Sequence, residues 1–169
     1  MTIGLPLSTF TVLHVLISVA AIGAGLVAVT YLASGRITGG WTGFFLATTI
    51  MTSITGFMFP PKPFGAPHAI GVISLFVLAV ALVAIYVKHL QGRWGPTYAF
   101  MAILALYLNV FVLIAQSFQK IGTLRALAPA GTGPTLAIVH ALVLLAFVAL
   151  GFRVMRRTPS LSDLSSSAS

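Results

Sequence analysis

The chain has 169 residues, of which 59% are hydrophobic and only 6% are charged. Soluble domains contain about 25% charged residues, and most residues of a domain this small touch water, so the composition excludes a soluble fold. The net charge of +8 comes from nine Lys and Arg residues against a single acid, Asp163. These basic residues stand singly between apolar segments, which favours the lipid bilayer rather than nucleic acid as their partner.

Five apolar segments are long enough to cross about 30 Å of hydrocarbon as helices. In chain order they cover residues 10–33, 42–59, 68–87, 98–118 and 134–152. The first is preceded by no Lys or Arg and is longer than the apolar core of a signal peptide, about 7–15 residues, so we predict a membrane span there. The sequence thus predicts an all-α polytopic membrane protein, with one transmembrane bundle over residues 1–157 and a disordered Ser-rich tail at 158–169.

The distribution of basic residues predicts the orientation of this bundle. With five spans, one set of loops carries six of the nine basic residues, namely Arg36, Lys88, Arg93, Arg153, Arg156 and Arg157. The opposite loops carry Lys62, Lys120 and Arg125. Because cytoplasmic loops are enriched in Lys and Arg, we predict that the N-terminus lies outside and the C-terminus lies in the cytoplasm.

Three of the four histidines fall in the predicted outer half of the membrane. His14, His68 and His140 lie near the outer ends of the first, third and fifth spans, and His140 lies about 10 Å deep at 1.5 Å per residue. Ionisable side chains are costly inside a bilayer and commonly mark a functional site. We therefore predict that these three histidines form a cofactor or metal site, whereas His89 lies at the opposite end.

Polar side chains of the second and fourth spans are predicted to surround this site. They are Thr55, Asn109, Gln116 and Lys120. Small residues also follow His14 along one helical face, at Ser18, Ala21 and Gly25, and such a face accommodates either another helix or a flat porphyrin.

Three kinds of ligand fit this set of residues. Haem b requires two axial imidazoles from different helices. Copper or another metal could use three imidazoles, with Met58 as a soft ligand. A quinone or a proton path requires one or two histidines with hydroxyl and amide partners. The alternative is structural, because His68 could cap its helix, and the other polar side chains could form interhelical hydrogen bonds without any ligand.

Several kinds of chemistry are excluded. The single acid rules out paired carboxylates and a Ser–His–Asp triad, the absence of cysteine rules out thiolate metal sites, and no phosphate-binding loop is present. No hydrolytic or nucleotide-dependent activity is therefore predicted, and the leading interpretation is a small redox or ligand-binding membrane protein. The alternatives are a small-solute or proton channel, which would need a homo-oligomer, and an accessory subunit of a larger membrane complex.

Three stretches carry a family resemblance. Residues 48–60 read TTIMTSITGFMFP, Pro67 and His68 follow with Gly71, and residues 106–113 read LYLNVFVL. Together they resemble a family of small uncharacterised bacterial multi-span membrane proteins, over most of the chain up to Pro129. The resemblance implies a shared fold and a location in the bacterial inner membrane, and it implies no activity. A looser likeness to b-type cytochrome bundles rests on histidines in small-residue helices.

Overall fold

The computed structural model describes residues 6–59, 65–128 and 133–156, and the secondary structure of these residues is helical. The helices are α1 (Leu7–Ala33), α2 (Gly39–Phe57), α3 (Ala66–Leu82), α4 (Trp94–Lys120), α5 (Gly122–Leu127) and α6 (Pro134–Met155). A π-helical turn, Val83–Val87, continues α3. The predicted all-α membrane bundle is confirmed, and the predicted disordered tail lies outside the described residues.

Four helical segments are long and apolar enough to cross a membrane. They are Leu7–Ala33, His68–Val87, Trp94–Lys120 and Pro134–Met155. Helix α2 matches the second predicted span in position, but threonines and glycines interrupt its apolar residues. Its 19 residues extend about 28 Å at 1.5 Å per residue, which nearly equals the hydrocarbon thickness. A membrane crossing by α2, like the orientation of the bundle, stays a prediction.

Helix α4 lies at the centre of the bundle, where it contacts α1, α3 and α6. It buries Ala99, Ala102 and Ala105 together with Tyr98 and Leu106. Because no hydrophobic effect draws helices together within lipid, membrane helices associate through close packing of small residues. The alanines of α4 therefore allow its neighbours to approach its backbone.

Three helices approach one another closely in the core at Gly25 of α1. A Cβ atom at this position would lie 2.7 Å from both Leu106 Cδ1 and Phe45 Cε2, well inside normal contact distances of about 3.5–4.0 Å. Helices α1, α2 and α4 meet here because Gly25 has no side chain. The inner part of the small-residue face of α1 is therefore filled by neighbouring helices rather than by a flat ligand.

Helices α1 and α2 run antiparallel and keep one register along their length. Gly25 packs against Phe45, His14 contacts Thr55, and the Phe10 ring contacts the Phe59 ring. The eleven residues from Gly25 to His14 complete about three turns at 3.6 residues per turn, so both residues lie on the same face of α1. The contact at Gly25 thus turns His14 toward α2.

Candidate functional site

The site centres on a hydrogen bond between α1 and α2. His14 Nδ1 lies 2.8 Å from Thr55 Oγ1, and the Thr55 hydroxyl donates its hydrogen to the Met51 carbonyl at 2.7 Å. A hydroxyl has one hydrogen to donate and two lone pairs with which to accept. With the Thr55 hydrogen on the Met51 carbonyl, Thr55 Oγ1 accepts the Nδ1–H of His14. In this tautomer Nε2 carries the lone pair.

Aromatic and small residues hold the half-buried imidazole in place. The His14 ring meets the Phe59 ring edge to face, with centroids 5.2 Å apart and an interplanar angle of 88°. The ring lies beside Gly56, where a Cβ atom would lie 3.8 Å from His14 Cε1, an ordinary van der Waals contact. Nε2 has no hydrogen-bond partner in the part of the chain that the structure describes, so this nitrogen is free to contact a ligand.

The site borders the lipid-facing surface of α1. Leu13 and Val15, on either side of His14, are both exposed, as are Val12 and Leu16. Apolar side chains that are exposed on a membrane helix face lipid. A ligand dissolved in the bilayer can therefore reach the imidazole from the side of α1.

Two further polar groups lie at the same end of the bundle. Lys120 is exposed at the end of α4. Thr52 lies one turn before Thr55 on α2, and its buried Oγ1 has no hydrogen-bond partner among the described residues. Of the site residues predicted from the sequence, the structure thus brings together His14 and Thr55. Thr52 is not among those predicted residues.

His140 lies in a different contact, between α6 and α4. Its Nδ1 is 3.0 Å from the Leu136 carbonyl oxygen, and its Nε2 is 3.3 Å from the Phe111 carbonyl oxygen. The imidazole also packs against the Phe111 ring, with centroids 4.1 Å apart and an interplanar angle of 44°. Because carbonyl oxygens only accept, a neutral imidazole donates to one of them at a time. Each nitrogen thus faces a backbone carbonyl oxygen, which matches the structural alternative of a histidine that satisfies a backbone carbonyl.

His68 lies at the start of α3. The backbone N–H of Gly65 points to His68 Nδ1 at 3.4 Å, and the Phe57 ring lies 6.1 Å from the imidazole, centroid to centroid. The N-terminal residues of a helix leave backbone donors unpaired, and nearby side chains commonly accept from them. This arrangement matches the capping role stated as the alternative for His68.

The three predicted metal ligands are not gathered into one site. Among the residues in the described ranges, no three His, Cys, Asp or Glu side chains lie in an arrangement that could hold a metal ion. Instead His14 contacts Thr55, His68 contacts Gly65 and His140 contacts Phe111. Counting residues along a span gives the depth of a side chain, but its direction around the helix depends on packing. Binding of haem b or copper stays a prediction.

Asn109 and Gln116 also differ from their predicted surroundings. The Asn109 amide donates to Thr49 Oγ1 at 3.2 Å, so it joins α4 to α2 away from His14. Gln116 is half-buried near the end of α4, and its amide has no hydrogen-bond partner within the described segments. Asn109 therefore holds two helices together, and Gln116 remains available at the end of the bundle where Lys120 lies.

Comparison with known proteins adds no function to this geometry. No family model matches the chain, and neither a curated protein nor a solved structure matches it. The resemblance to small bacterial membrane proteins accordingly stays a prediction. Any function must be argued from the site itself.

Proposed function

We propose that this membrane protein binds a lipid-soluble ligand of the quinone or quinol class at His14. The observation that carries the proposal is the imidazole that Thr55 orients through Nδ1, with Nε2 unpaired in the described structure. The Nε2 lone pair accepts a hydrogen bond from a quinol hydroxyl, and the Lys120 ammonium supplies a donor for a quinone carbonyl. The exposed apolar residues beside His14 provide a surface for the isoprenoid tail.

A quinone suits these residues better than haem b or a metal. A hydrogen bond from one imidazole nitrogen commonly orients the other toward a metal, so His14 could supply one axial ligand to haem. His140 supplies no second ligand in this arrangement, because its two nitrogens contact the carbonyls of Leu136 and Phe111. A quinol needs only one oriented imidazole nitrogen as acceptor, whereas a copper site needs several gathered ligands.

The hydroxyl side chains of α2 give less support to a channel. The hydroxyls of Thr48, Ser53 and Thr55 donate to carbonyls of their own helix at 2.7, 3.0 and 2.7 Å. A pore requires polar groups that remain available to water or ions along a continuous path.

The proposal also requires a redox partner, either a second protein or a larger membrane complex, because a bound quinone must exchange its electrons with another redox centre.

Equilibrium binding of a short-chain quinol analogue, kept reduced, to the detergent-purified protein tests the proposal. We expect His14→Ala to weaken binding about tenfold or more, since loss of a ligand hydrogen bond of about 1.4 kcal/mol corresponds to a factor of ten. His89→Ala, in the exposed turn at the other end, and His140→Ala should bind as the parent does. Absence of binding by the parent, or full binding by His14→Ala, would overturn the proposal.

Absorption spectra of the oxidised and dithionite-reduced protein, with metal analysis of the same sample, distinguish the quinone proposal from binding of haem b or a metal. The quinone proposal predicts no reduced haem α-band and no stoichiometric metal in protein produced with ample haem and copper. A sharp α-band with stoichiometric iron would instead assign haem b to this protein.

A further inference from the structure

A groove lies at the end of the bundle opposite His14, between the beginning of α4 and the end of α6. It has a volume of about 390 Å³ and is lined by Arg93, Pro96, Thr97, Phe100, Met101 and Met155. Most of this lining is apolar, and Phe100 and Met155 are 53% and 41% exposed. The groove therefore combines one cationic side chain with an apolar surface at the edge of the membrane-spanning region.

The charged residues around the groove are all positive within the part of the chain that the structure describes. Four other exposed basic residues lie at this end of the helices, namely Arg36, Lys88, Arg153 and Arg156. The described residues include no acid, because the only one in the sequence is Asp163. The Lys88 ammonium lies 5.6 Å from the centroid of the Trp94 ring, and tryptophan rings favour the headgroup level of a bilayer.

We propose that this groove binds one anionic phospholipid. The Arg93 guanidinium recognises the headgroup phosphate, because its planar fork of donors matches phosphate oxygens. Phe100, Met101 and Met155 contact the upper part of the acyl chains. The proposal does not depend on the ligand of His14, which lies at the other end of the bundle.

The hydrogen bonds within the groove indicate which residue provides the selectivity. The Thr97 hydroxyl donates to the Arg93 carbonyl at 2.8 Å, so its hydrogen is already used and cannot reach a phosphate. Arg93 is then the groove's source of donors for the headgroup. Free phosphate would use Arg93 alone, whereas a phospholipid also covers the apolar lining.

Native mass spectrometry of the detergent-purified full chain, with phosphatidylglycerol or phosphatidylcholine added, tests this site. We expect the parent protein to bind one phosphatidylglycerol more tightly than phosphatidylcholine. Arg93→Gln should weaken phosphatidylglycerol binding about fivefold, in line with the electrostatic contribution of one basic residue near a membrane surface. Arg125→Gln removes an equal charge from α5, at the other end of the bundle, and should bind as the parent does.

A second variant distinguishes lipid binding in the groove from general attraction of anionic lipid to the positive charges at this end of the bundle. Thr97→Trp fills the groove without changing any charge, and we expect it to lose the tight phosphatidylglycerol while circular dichroism shows retained helix. Equal binding of the two lipids by the parent, unchanged binding by Arg93→Gln, or unchanged binding by Thr97→Trp would each overturn the proposal. Displacement of the lipid by inorganic phosphate would also overturn it, because the apolar lining would then contribute nothing.

Discussion

Replacing Gly25 with alanine tests the contact that positions α1 against its neighbours. The new Cβ would lie 2.7 Å from Leu106 Cδ1 and from Phe45 Cε2, and 2.8 Å from Phe45 Cδ2. Carbon atoms in contact normally stay about 3.5–4.0 Å apart, so α1 must move outward by about 1 Å or both side chains must shift. Leu106 and Phe45 are completely buried, which leaves them little space for such a shift.

The size of the effect follows from two opposing contributions. Overpacking of a well-filled core destabilises proteins by about 1–3 kcal/mol. Alanine in place of glycine inside a helix stabilises by about 0.5–1 kcal/mol, because alanine loses less conformational entropy on folding. We therefore expect Gly25→Ala to lower the free energy of unfolding by about 1 kcal/mol.

Gly23→Ala on the same helix provides the matched control. A Cβ atom at Gly23 would have no other heavy atom within 4 Å, so this variant changes helix propensity without introducing a clash. The difference between the two variants isolates the packing contribution, and we expect it to be about 1–3 kcal/mol. Reversible unfolding in sodium dodecyl sulfate, followed by circular dichroism, measures both variants. If Gly25→Ala proves as stable as Gly23→Ala, the close contact of α1 with Phe45 and Leu106 is refuted.

Two further predictions concern hydrogen bonds to α2. A double-mutant cycle with Asn109→Ala and Thr49→Ala should give a coupling free energy of about 0.6 kcal/mol, the average for interhelical hydrogen bonds in membranes. The same unfolding assay measures it, and additive effects would contradict the 3.2 Å bond. Thr55→Val removes the acceptor of His14 Nδ1 and should weaken quinol binding about tenfold. Thr55→Ser keeps the hydroxyl and should bind within about twofold of the parent, so equal affinity of the two variants would show that Thr55 does not orient the imidazole.

The positions of the helices could be predicted from the sequence because apolar length is a local property. A run of about 20 apolar residues predicts a membrane helix whichever other helices pack against it. The predicted boundaries were short at both ends of the fourth span, where 98–118 became Trp94–Lys120. Trp94 and Lys120 lower the apolar character of these ends but favour the membrane interface, so the helix continues through them.

The composition of the site could be predicted only in part. The depth of a side chain in the membrane follows from its place along the span, whereas its direction around the helix follows from packing against other helices. His14, His68 and His140 were placed in one leaflet by counting residues along their spans. Their directions depend on which side chains pack between the helices, and this information lies in distant segments of the sequence. His14 faces α2 because Gly25, three turns along the same face, accepts Phe45 and Leu106. His140 instead contacts α4 through the tilted packing of its ring against Phe111.

Helix α2, whose apolar residues are interrupted by threonines, contributes much of the site. Polar residues within a membrane are tolerated when they face the bundle interior, and threonine hydroxyls reduce their own cost by bonding to carbonyls of their own helix. In α2, Thr49 accepts from Asn109 and Thr55 accepts from His14. The same threonines interrupt the apolar residues of α2, which is not among the four helical segments long and apolar enough to cross a membrane. The threonines that face α1 and α4 therefore explain both the interrupted apolar pattern of α2 and its contribution to the candidate site.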